Sequence, residues 1–389
     1  MNIPISASRP DFVPPNSTTN DSTFLIRRDY LSKLEWPALV HATFPVIIPM
    51  LLILGIIGNS LTIAVLWHKK MKCTTTILLF RALAVTDMVV SVVWSLNAVS
   101  EYYLFQIPEG RSYYLDVVYP CIYIVLLYLI YFFRGVNIWI TVTLCAERFI
   151  FVCVYYKANV LCTKKRVTII LAIITGFFFV FSIQQLIEFK PVRYPCYGGL
   201  CYINHFTEVG KSFYYSKGPF WFNMLMYNIF PTLLLISLSI PIICKLCAIR
   251  KKRVQMKSTT QSSGTLQRKE ANVTVVLLLI VLFSVLSNLN GPYLVAVYVY
   301  NIYSSSFFYL ICIFNTVVVF NSSINFVIYG VVGMRFRKIL IKILREAYYK
   351  VLRKPAPTKA KPAHTRDETA SSGNVIELTS NDTTLYNGI

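Results

Sequence analysis

Charged residues are scarce in this chain of 389 residues, at 14%, against roughly 25% in ordinary soluble domains. Hydrophobic residues reach 56% of the sequence. A soluble protein needs polar and charged side chains at its surface, whereas a chain whose surface meets lipid does not. The composition therefore argues against a soluble protein and indicates one that lies in a bilayer.

Acidic residues are scarcer than basic ones: 17 Asp and Glu stand against 38 Lys and Arg, for a net charge of +21. Such an excess would by itself suit nucleic-acid binding. The cations, however, cluster in short segments between long apolar stretches. That distribution favours a membrane protein, and we expect no nucleic-acid partner.

Histidine is scarce as well, and the four residues stand far apart at 41, 68, 205 and 364. Their spacing matches neither a metal centre nor a nucleophile with its base. We therefore expect no enzyme, no catalytic residue, and no cofactor apart from the candidate sodium ion discussed below.

A long apolar run is absent from residues 1–43. No cleavable signal peptide is expected, and the first spanning helix would serve as the insertion signal. These residues are predicted to form an extracellular tail, in which Asn16 and Asn20 begin sequons suited to glycosylation. The sequons at Asn272 and Asn381 fall on the predicted cytosolic side, where we read them as chance.

Seven stretches, in contrast, are long and apolar enough to cross a bilayer, which takes about 20 residues. They lie near 44–67, 76–100, 119–150, 167–189, 219–248, 271–300 and 306–330. The predicted fold is an all-α membrane protein, a bundle of seven transmembrane helices over residues 44–333.

The orientation is predicted from the basic loops. Lys69 and Lys70 follow the first stretch, Lys164 and Lys165 precede the fourth, and 250–253 follow the fifth. The positive-inside rule places these loops in the cytosol, the N-terminus outside and the C-terminus inside. A multi-pass protein of the plasma membrane is expected.

Residues 334–351 alternate apolar and basic positions at helical spacing. We predict an amphipathic helix on the membrane surface, with its Lys and Arg at anionic lipid headgroups and four apolar side chains in the acyl boundary, namely Phe336, Ile339, Leu340 and Ile343. The alternative is a solvated basic tail. Residues 352–389 are predicted to be disordered, and since no Cys follows Cys312, palmitoylation behind this helix is excluded.

Polar residues recur inside the apolar stretches, where they are costly and mark functional sites by default. Asp87 is accompanied by the amides Asn59, Asn137, Asn321 and Asn325. One carboxylate among oxygen ligands suits a hydrated sodium ion, with Asp87, Asn137, Asn321 and Asn325 as the candidate site. A structural hydrogen-bond network without an ion is the alternative, and the residues alone leave both open.

Six landmarks on six stretches make the pattern specific: Asn59, Leu83-Ala84-Val85-Thr86-Asp87, Glu147-Arg148-Phe149, Pro231, Pro292 and Asn325-Phe326-Val327-Ile328-Tyr329. In this order they resemble rhodopsin-like (class A) G-protein-coupled receptors over residues 44 to about 350. The segment from Asn321 to Tyr329, with Glu147-Arg148-Phe149, is most similar to invertebrate neuropeptide receptors of the FMRFamide type.

The resemblance implies signalling through heterotrimeric G proteins, with arrestin as a further partner. It assigns Glu147, Arg148, Asn325 and Tyr329 to coupling and switching, with the Arg148 side chain paired with Glu147 until activation. Three positions depart from the family pattern: Phe326 replaces the usual Pro, Asn290 the usual Trp and Ser239 the usual Tyr. These departures put the usual activation relay in doubt, whereas the fold is unaffected.

Cysteines suggest one extracellular disulfide. Cys121 at the outer start of the third stretch is expected to pair with Cys196 or Cys201 in the following outer loop, since the outside is oxidising. The alternative, a bond between Cys196 and Cys201, stays open. The other seven cysteines are expected to be free.

The ligand is expected among polar and aromatic residues in the outer halves of the stretches: Trp94, Asn97, Glu101, Arg134, Gln184, Glu188, Tyr293 and Asn315. Arg134 either binds a ligand acceptor or pairs with an internal acid such as Asp87. Ile130 stands where amine receptors carry Asp, which disfavours a monoamine. An amidated peptide ending in Arg-Phe would find acids for its Arg and aromatic rings for its Phe.

A transporter or channel is the competing class, because polar groups in helices also line permeation paths. The chain shows no repeated half and an odd number of spans, which disfavours it.

Overall fold

The computed structural model describes residues 38–71, 73–107, 112–196, 199–216, 218–255, 277–288, 305–332 and 334–351. Asn16, Asn20, Asn290, Tyr293 and the predicted tail 352–389 lie outside these ranges. The chain divides into one unit that ends at Ile343 and a second that begins at Leu344. Of the second unit, the structure describes the helical residues 344–351.

Helices dominate, because a segment in lipid must satisfy its own backbone hydrogen bonds. In chain order the elements are α1 (Ala38–Ala42), a π-helical turn (Thr43–Ile47), α2 (Ile48–Leu66), α3 (Thr75–Gln106), a second π turn (Tyr114–Val118), α4 (Tyr119–Cys153), a 3-10 turn (Tyr155–Lys157), α5 (Ala158–Leu161), α6 (Lys164–Phe181), α7 (Gln184–Glu188), β1 (Phe189–Cys196), β2 (Gly199–Phe206), α8 (Glu208–Ser216), α9 (Gly218–Met224), a third π turn (Leu225–Ile229), α10 (Phe230–Gln255), α11 (Leu277–Asn288), α12 (Ser305–Val332) and α13 (Met334–Val351).

Six helical segments of the described chain are long and apolar enough to cross a membrane: Ala38–Leu66, Thr75–Leu104, Tyr114–Cys153, Lys164–Glu188, Trp221–Ile249 and Cys312–Gly330. They match six of the seven predicted spans to within several residues, and we number them by those predictions. The sixth predicted span, 271–300, is described only at the apolar helix Leu277–Asn288.

The interior of the bundle is made by apolar side chains from all seven spans, the sixth through its described helix Leu277–Asn288. Leu79, Ile140, Leu144 and Leu235 are fully or almost fully buried in it. The outward faces of the same helices are equally apolar, as Ile53, Ile173 and Leu233 illustrate. Such a helix, apolar all round, is what a lipid-facing bundle requires.

Threonine caps begin two of the spans. The Thr74 side chain accepts a hydrogen bond from Ile77 N at 3.3 Å, and that of Thr163 accepts from Arg166 N at 3.4 Å. These caps satisfy backbone donors that a helix start leaves without partners. The second span starts beside the C-terminal turns of the third span, since Thr75 hydrogen-bonds Glu147. We call this end of the bundle the Arg148 end.

A two-stranded antiparallel sheet connects the fourth and fifth spans, where the sequence predicts only a loop. Phe189 of β1 lies opposite Phe206 of β2, and Val192 opposite Ile203. The rings of Phe189 and Phe206 are 4.7 Å apart, and Phe189 also meets Tyr123 of the third span at 6.1 Å. We call this end of the bundle the hairpin end.

The disulfide predicted for Cys121 is not formed. Cys121 is an exposed free thiol, whereas Cys201 is fully buried in β2 and is disulfide-bonded to another residue. The prediction was wrong because the hairpin carries Cys201 into the protein interior, while Cys121 lies on an outward face of its helix. The seven cysteines expected to be free are free in the structure.

The helix predicted at 334–351 is present as α13, but its apolar side chains do not all face lipid as expected. Phe336 and Ile339 are buried against the bundle, with Leu340 and Ile343 packed beside them. The Phe336 ring lies 5.8 Å from that of Tyr329. Protein packing therefore takes up the face that was assigned to the acyl boundary, while Arg337 and Lys338 stay exposed.

Candidate functional site

Glu147 and Arg148 form an ion pair at the Arg148 end. Arg148 Nη2 lies 3.3 Å from Glu147 Oε2, and both side chains are at least nine-tenths buried. A charged pair in such a place needs further hydrogen bonds to offset its lost hydration. The ion pair that the sequence predicts between these two residues is thus seen in the structure.

Two threonines at the start of the second span supply those further hydrogen bonds. Thr75 donates through its hydroxyl to Glu147 Oε1, and Arg148 donates to the hydroxyl of Thr76. The Arg148 guanidinium also lies over the Phe151 ring, 5.1 Å from its centroid. Sequence reasoning missed both threonines, although their place directly after the cap Thr74 put them at the same end of the bundle as Arg148.

Cys162, in the loop between the third and fourth spans, interacts electrostatically with both residues of this pair. Burial raises the pKa of its thiol, and the Glu147 carboxylate raises it further, while Arg148 lowers it. The loop therefore lies within electrostatic reach of both charges.

Asp87 is the centre of the second cluster, in the middle of the bundle, and is almost fully buried. Asn137 Nδ2 donates to its Oδ1 at 2.8 Å and Asn325 Nδ2 donates to its Oδ2 at 2.5 Å. Asn137 Nδ2 also lies 3.0 Å from the Thr86 hydroxyl. Three of the four residues predicted for the sodium site are therefore joined directly.

Asn321, the fourth residue of that set, lies close by without a hydrogen bond to Asp87 among the described contacts. Its Oδ1 is buried and has no hydrogen-bond partner within the described part of the chain, and the same holds for Oδ1 of Asn325 and of Asn59. Asn59 Nδ2 donates to the backbone oxygen of Ser322 at 2.9 Å, which ties the first span to the seventh.

The seventh span runs unbroken through the position where the resembling receptors carry Pro, as part of α12. Phe326 packs there against Gly58, where an added Cβ would lie 2.9 Å from the Phe326 Cβ. Tyr329 follows three residues later, with its buried ring 5.0 Å from that of Phe80. Among the described residues its hydroxyl has no hydrogen-bond partner, so Tyr329 makes no hydrogen bond to the Glu147–Arg148 pair.

Ser239 shows the second departure from the family pattern. Its hydroxyl donates to the backbone oxygen of Leu235 at 2.6 Å and lies 3.6 Å from Cys145 Sγ. Both contacts of the Ser239 side chain thus lie inside the bundle, and neither of them is with Tyr329 or Arg148.

Arg134, Trp94 and Asn315 form a third cluster, nearer the hairpin end. Trp94 Nε1 donates to Asn315 Oδ1 at 2.8 Å, and the Arg134 guanidinium lies 5.4 Å from the Trp94 ring centroid. Arg134 also donates to Asn228 Oδ1 at 3.4 Å. The sequence left two roles open for Arg134, a contact to the ligand or a pair with an internal acid such as Asp87. A direct pair with Asp87 is not among the described contacts of Arg134.

Asn97, Glu101 and Glu188 belong to a neighbouring cluster. Tyr119 donates through its hydroxyl to Asn97 Oδ1 at 3.2 Å, and Glu101 follows Asn97 one helical turn later in the second span. Tyr123 interacts electrostatically with both Glu101 and Glu188. Both acids therefore lie within electrostatic reach of the same tyrosine.

Tyr131 connects these two clusters, since it interacts electrostatically with Glu188 and with Arg134. Tyr131 and Asn228 were not predicted as site residues. Helical spacing places Tyr131 one turn before Arg134, which was the available signal. Gln184, a predicted residue, instead binds Asn223 Oδ1 at 2.8 Å, and Tyr293 lies outside the described residues.

Comparison with known proteins identifies the class. The family model described as "Serpentine type 7TM GPCR chemoreceptor Srw" matches residues 46–346. The protein therefore belongs to this family of seven-helix G-protein-coupled receptors and is a multi-span membrane protein, not an enzyme. The competing reading as a transporter or channel is set aside by this match.

Two curated receptors of Drosophila melanogaster are similar to the chain. The FMRFamide receptor is 26% identical over 308 residues, which cover 77% of this chain and 53% of that receptor. The sex peptide receptor is 26% identical over 318 residues, covering 76% of this chain and 71% of the receptor. The chain thus spans about half the length of the first relative.

Proposed function

We propose that this receptor lies in the plasma membrane with its N-terminus outside, binds an extracellular amidated neuropeptide of the RFamide kind, and activates heterotrimeric G proteins. The observation that carries the proposal is the buried Glu147–Arg148 pair held by Thr75 and Thr76. The likeness to the FMRFamide receptor supports the peptide.

The switch follows from the geometry at the Arg148 end. In the conformation described, Arg148 is held by Glu147 and Thr76 and is unavailable to a partner. A ligand that favours a conformation in which these bonds open exposes the guanidinium to the G protein, and it shifts the equilibrium only by its difference in affinity for the two states.

The ligand is recognised near the hairpin end by charge and by aromatic surface. Glu101 and Glu188, which both lie within electrostatic reach of Tyr123, supply carboxylates for the arginine of an Arg-Phe-amide terminus. Trp94, beside Asn315 and Arg134, supplies aromatic surface for its phenylalanine. The amide end replaces a carboxylate that these acids would repel.

Further partners bind the Arg148 end. The exposed Arg337 and Lys338 of α13 attract anionic lipid headgroups. Arrestin is proposed to use the same cytosolic end as the G protein once the receptor is activated.

The test of the ligand class is a comparison within one peptide. Cells that express the full chain are exposed to a peptide ending in Arg-Phe-amide, to the same peptide with a free carboxylate, and to monoamines, with G-protein activation as the readout. The amide alone is expected to give a response, and Glu101→Gln and Glu188→Gln are expected to weaken it. A response to amines, or an equal response to the free acid, contradicts the peptide assignment.

The role of Arg148 is tested in the same cells. Arg148→Ala is expected to reduce G-protein activation to background while binding of a labelled peptide persists, since Arg148 lies at the opposite end from the proposed pocket. Arg148→Lys, which keeps the charge, is the matched control. Full signalling by Arg148→Ala at equal surface expression would show that this residue does not couple the receptor.

A further inference from the structure

Two free cysteines lie on the outward face of the fifth span. Cys244 and Cys247 are exposed thiols in the helix α10. They continue a stripe made by the exposed side chains of Ile240 and Ile243, because residues three and four positions apart share one face of a helix. Ile242, on the opposite face, is fully buried. Both thiols therefore point away from the core of the bundle.

The two thiols also lie where the apolar part of this helix ends. The spanning segment stops at Ile249, and the basic run 250–253 follows directly. Lys245 and Lys251 are exposed beside the thiols, and Lys245 interacts electrostatically with Cys153, the last residue of the third span. Such cations mark the headgroup level of an anionic leaflet. The thiols are thus at the border between the acyl region and the headgroups, at the Arg148 end.

The other free cysteines that the structure describes differ in position. Five of them are buried or partly buried, namely Cys73, Cys145, Cys153, Cys162 and Cys312. Cys121 is exposed, but it lies in the first turn of α4, at the hairpin end. Among the described cysteines, Cys244 and Cys247 alone combine exposure with a place at the Arg148 end.

A cysteine that faces lipid can serve simply as a small apolar residue. That role suits any depth in the bilayer, whereas these two thiols lie at its edge, next to cations. There a thiol meets a water-soluble carrier from one side and the acyl chain that it carries from the other. Cysteines beside the membrane border are the residues that reversible S-acylation uses.

We propose that Cys244 and Cys247 are S-acylated with a long-chain fatty acid. The donor is an acyl-coenzyme A, and a membrane-embedded acyltransferase catalyses the transfer. The cysteine sulfur bonds to the carbonyl carbon of the donor, the bond from that carbon to the coenzyme A sulfur breaks, and the thiol proton passes to coenzyme A. The acyl chain then lies along the exposed Ile240 and Leu233, inside the acyl region. The proposal rests on the proposed orientation, which puts the Arg148 end in the cytosol.

The experiment follows acylation of the full chain in cells fed an alkyne-tagged palmitate. The isolated receptor is coupled to a dye through the alkyne and resolved on a gel, with and without neutral hydroxylamine, which cleaves thioesters. The native receptor is expected to carry a label that hydroxylamine removes. Cys244→Ser with Cys247→Ser is expected to lose that label at matched surface expression, whereas each single variant keeps part of it.

Two control variants separate these thiols from the others. Cys153→Ser with Cys162→Ser removes two thiols at the same end, and Cys121→Ser removes the exposed thiol at the hairpin end. Both variants are expected to keep the full label.

A native receptor without hydroxylamine-sensitive label, or a full label in Cys244→Ser with Cys247→Ser, would overturn the proposal. If the N-terminal sequons are glycosylated in the same preparation, that result overturns the acylation and leaves the orientation standing. Loss of the label in Cys121→Ser would place the hairpin end in the cytosol, and it would overturn the acylation and the orientation together. No peptide is used, so the outcome is independent of the proposed ligand.

Discussion

Buried polar side chains in this receptor find one another because lipid and apolar packing offer no other partners. Asp87, Asn137 and Asn325 were predictable as a group for this reason, and they are joined. The roles of Thr75, Thr76 and Asn228 were not predictable, because Thr and Asn occur in helices for many structural reasons. Only their hydrogen bonds to other helices show which role they have.

Thr76 offers the sharpest prediction for a single residue. Its hydroxyl accepts from Arg148, and a hydrogen bond to a charged group contributes about 1.5–3 kcal/mol. Thr76→Val is therefore expected to loosen the held conformation, by roughly 10- to 150-fold in equilibrium, and to raise ligand-independent signalling. The measurement is basal G-protein activation at matched surface expression.

Thr76→Ser, which keeps the hydroxyl, is the control and is expected to stay near the native basal level. An unchanged basal signal in Thr76→Val would show that this hydrogen bond does not restrain Arg148.

Helices in this bundle approach one another closely where one of the two helices carries a small residue at the contact. Gly135 of the third span meets Phe178 of the fourth, whose ring is almost fully buried. Phe178, Phe181 and Tyr227 form an aromatic group on that side of the bundle, with the ring centroids of Phe178 and Tyr227 5.4 Å apart. Close contact between helices depends on small residues in this way.

Gly135→Ala is expected to destabilise the receptor. The added Cβ would lie 2.2 Å from Phe178 Cδ1, and overpacking of this kind costs about 1–3 kcal/mol. The measurement is the apparent Tm of the detergent-solubilised protein. Gly176→Ala, on the fourth span with no atom within 4 Å of the added Cβ, is the matched control and is expected to leave the Tm unchanged.

Combining Gly135→Ala with Phe178→Leu should recover part of the loss, because contacting positions are not additive. A Gly135→Ala receptor as stable as the control would mean that Phe178 moves aside at no cost.

The orientation proposed for the receptor rests on loop charge. Lys69 and Lys70, like Lys164 and Lys165, flank spans at the Arg148 end, which the positive-inside rule assigns to the cytosol. The N-terminal sequons at Asn16 and Asn20 would then face outside, and the sequon at Asn381 would face the cytosol.

Glycosylation tests this topology. Treatment of the receptor from cells with a peptide N-glycosidase is expected to increase its gel mobility, and Asn16→Gln with Asn20→Gln is expected to abolish that shift. Asn381→Gln is the control and should leave the shift intact. If Asn381→Gln alone removed the shift, the C-terminus would lie outside and the proposed orientation would be wrong.

The sequence by itself determined that the chain spans a membrane, where six of the spans lie, and the receptor class. Those properties depend on the length of apolar runs and on motifs within single helices, which are local. Only the tertiary structure decided that Thr75 binds Glu147, 72 residues away, that Trp94 meets Asn315, 221 residues away, and that Cys201 does not bond Cys121. Such contacts depend on how helices pack and rotate against one another, and side-chain volume and lost hydration set that packing across the whole bundle.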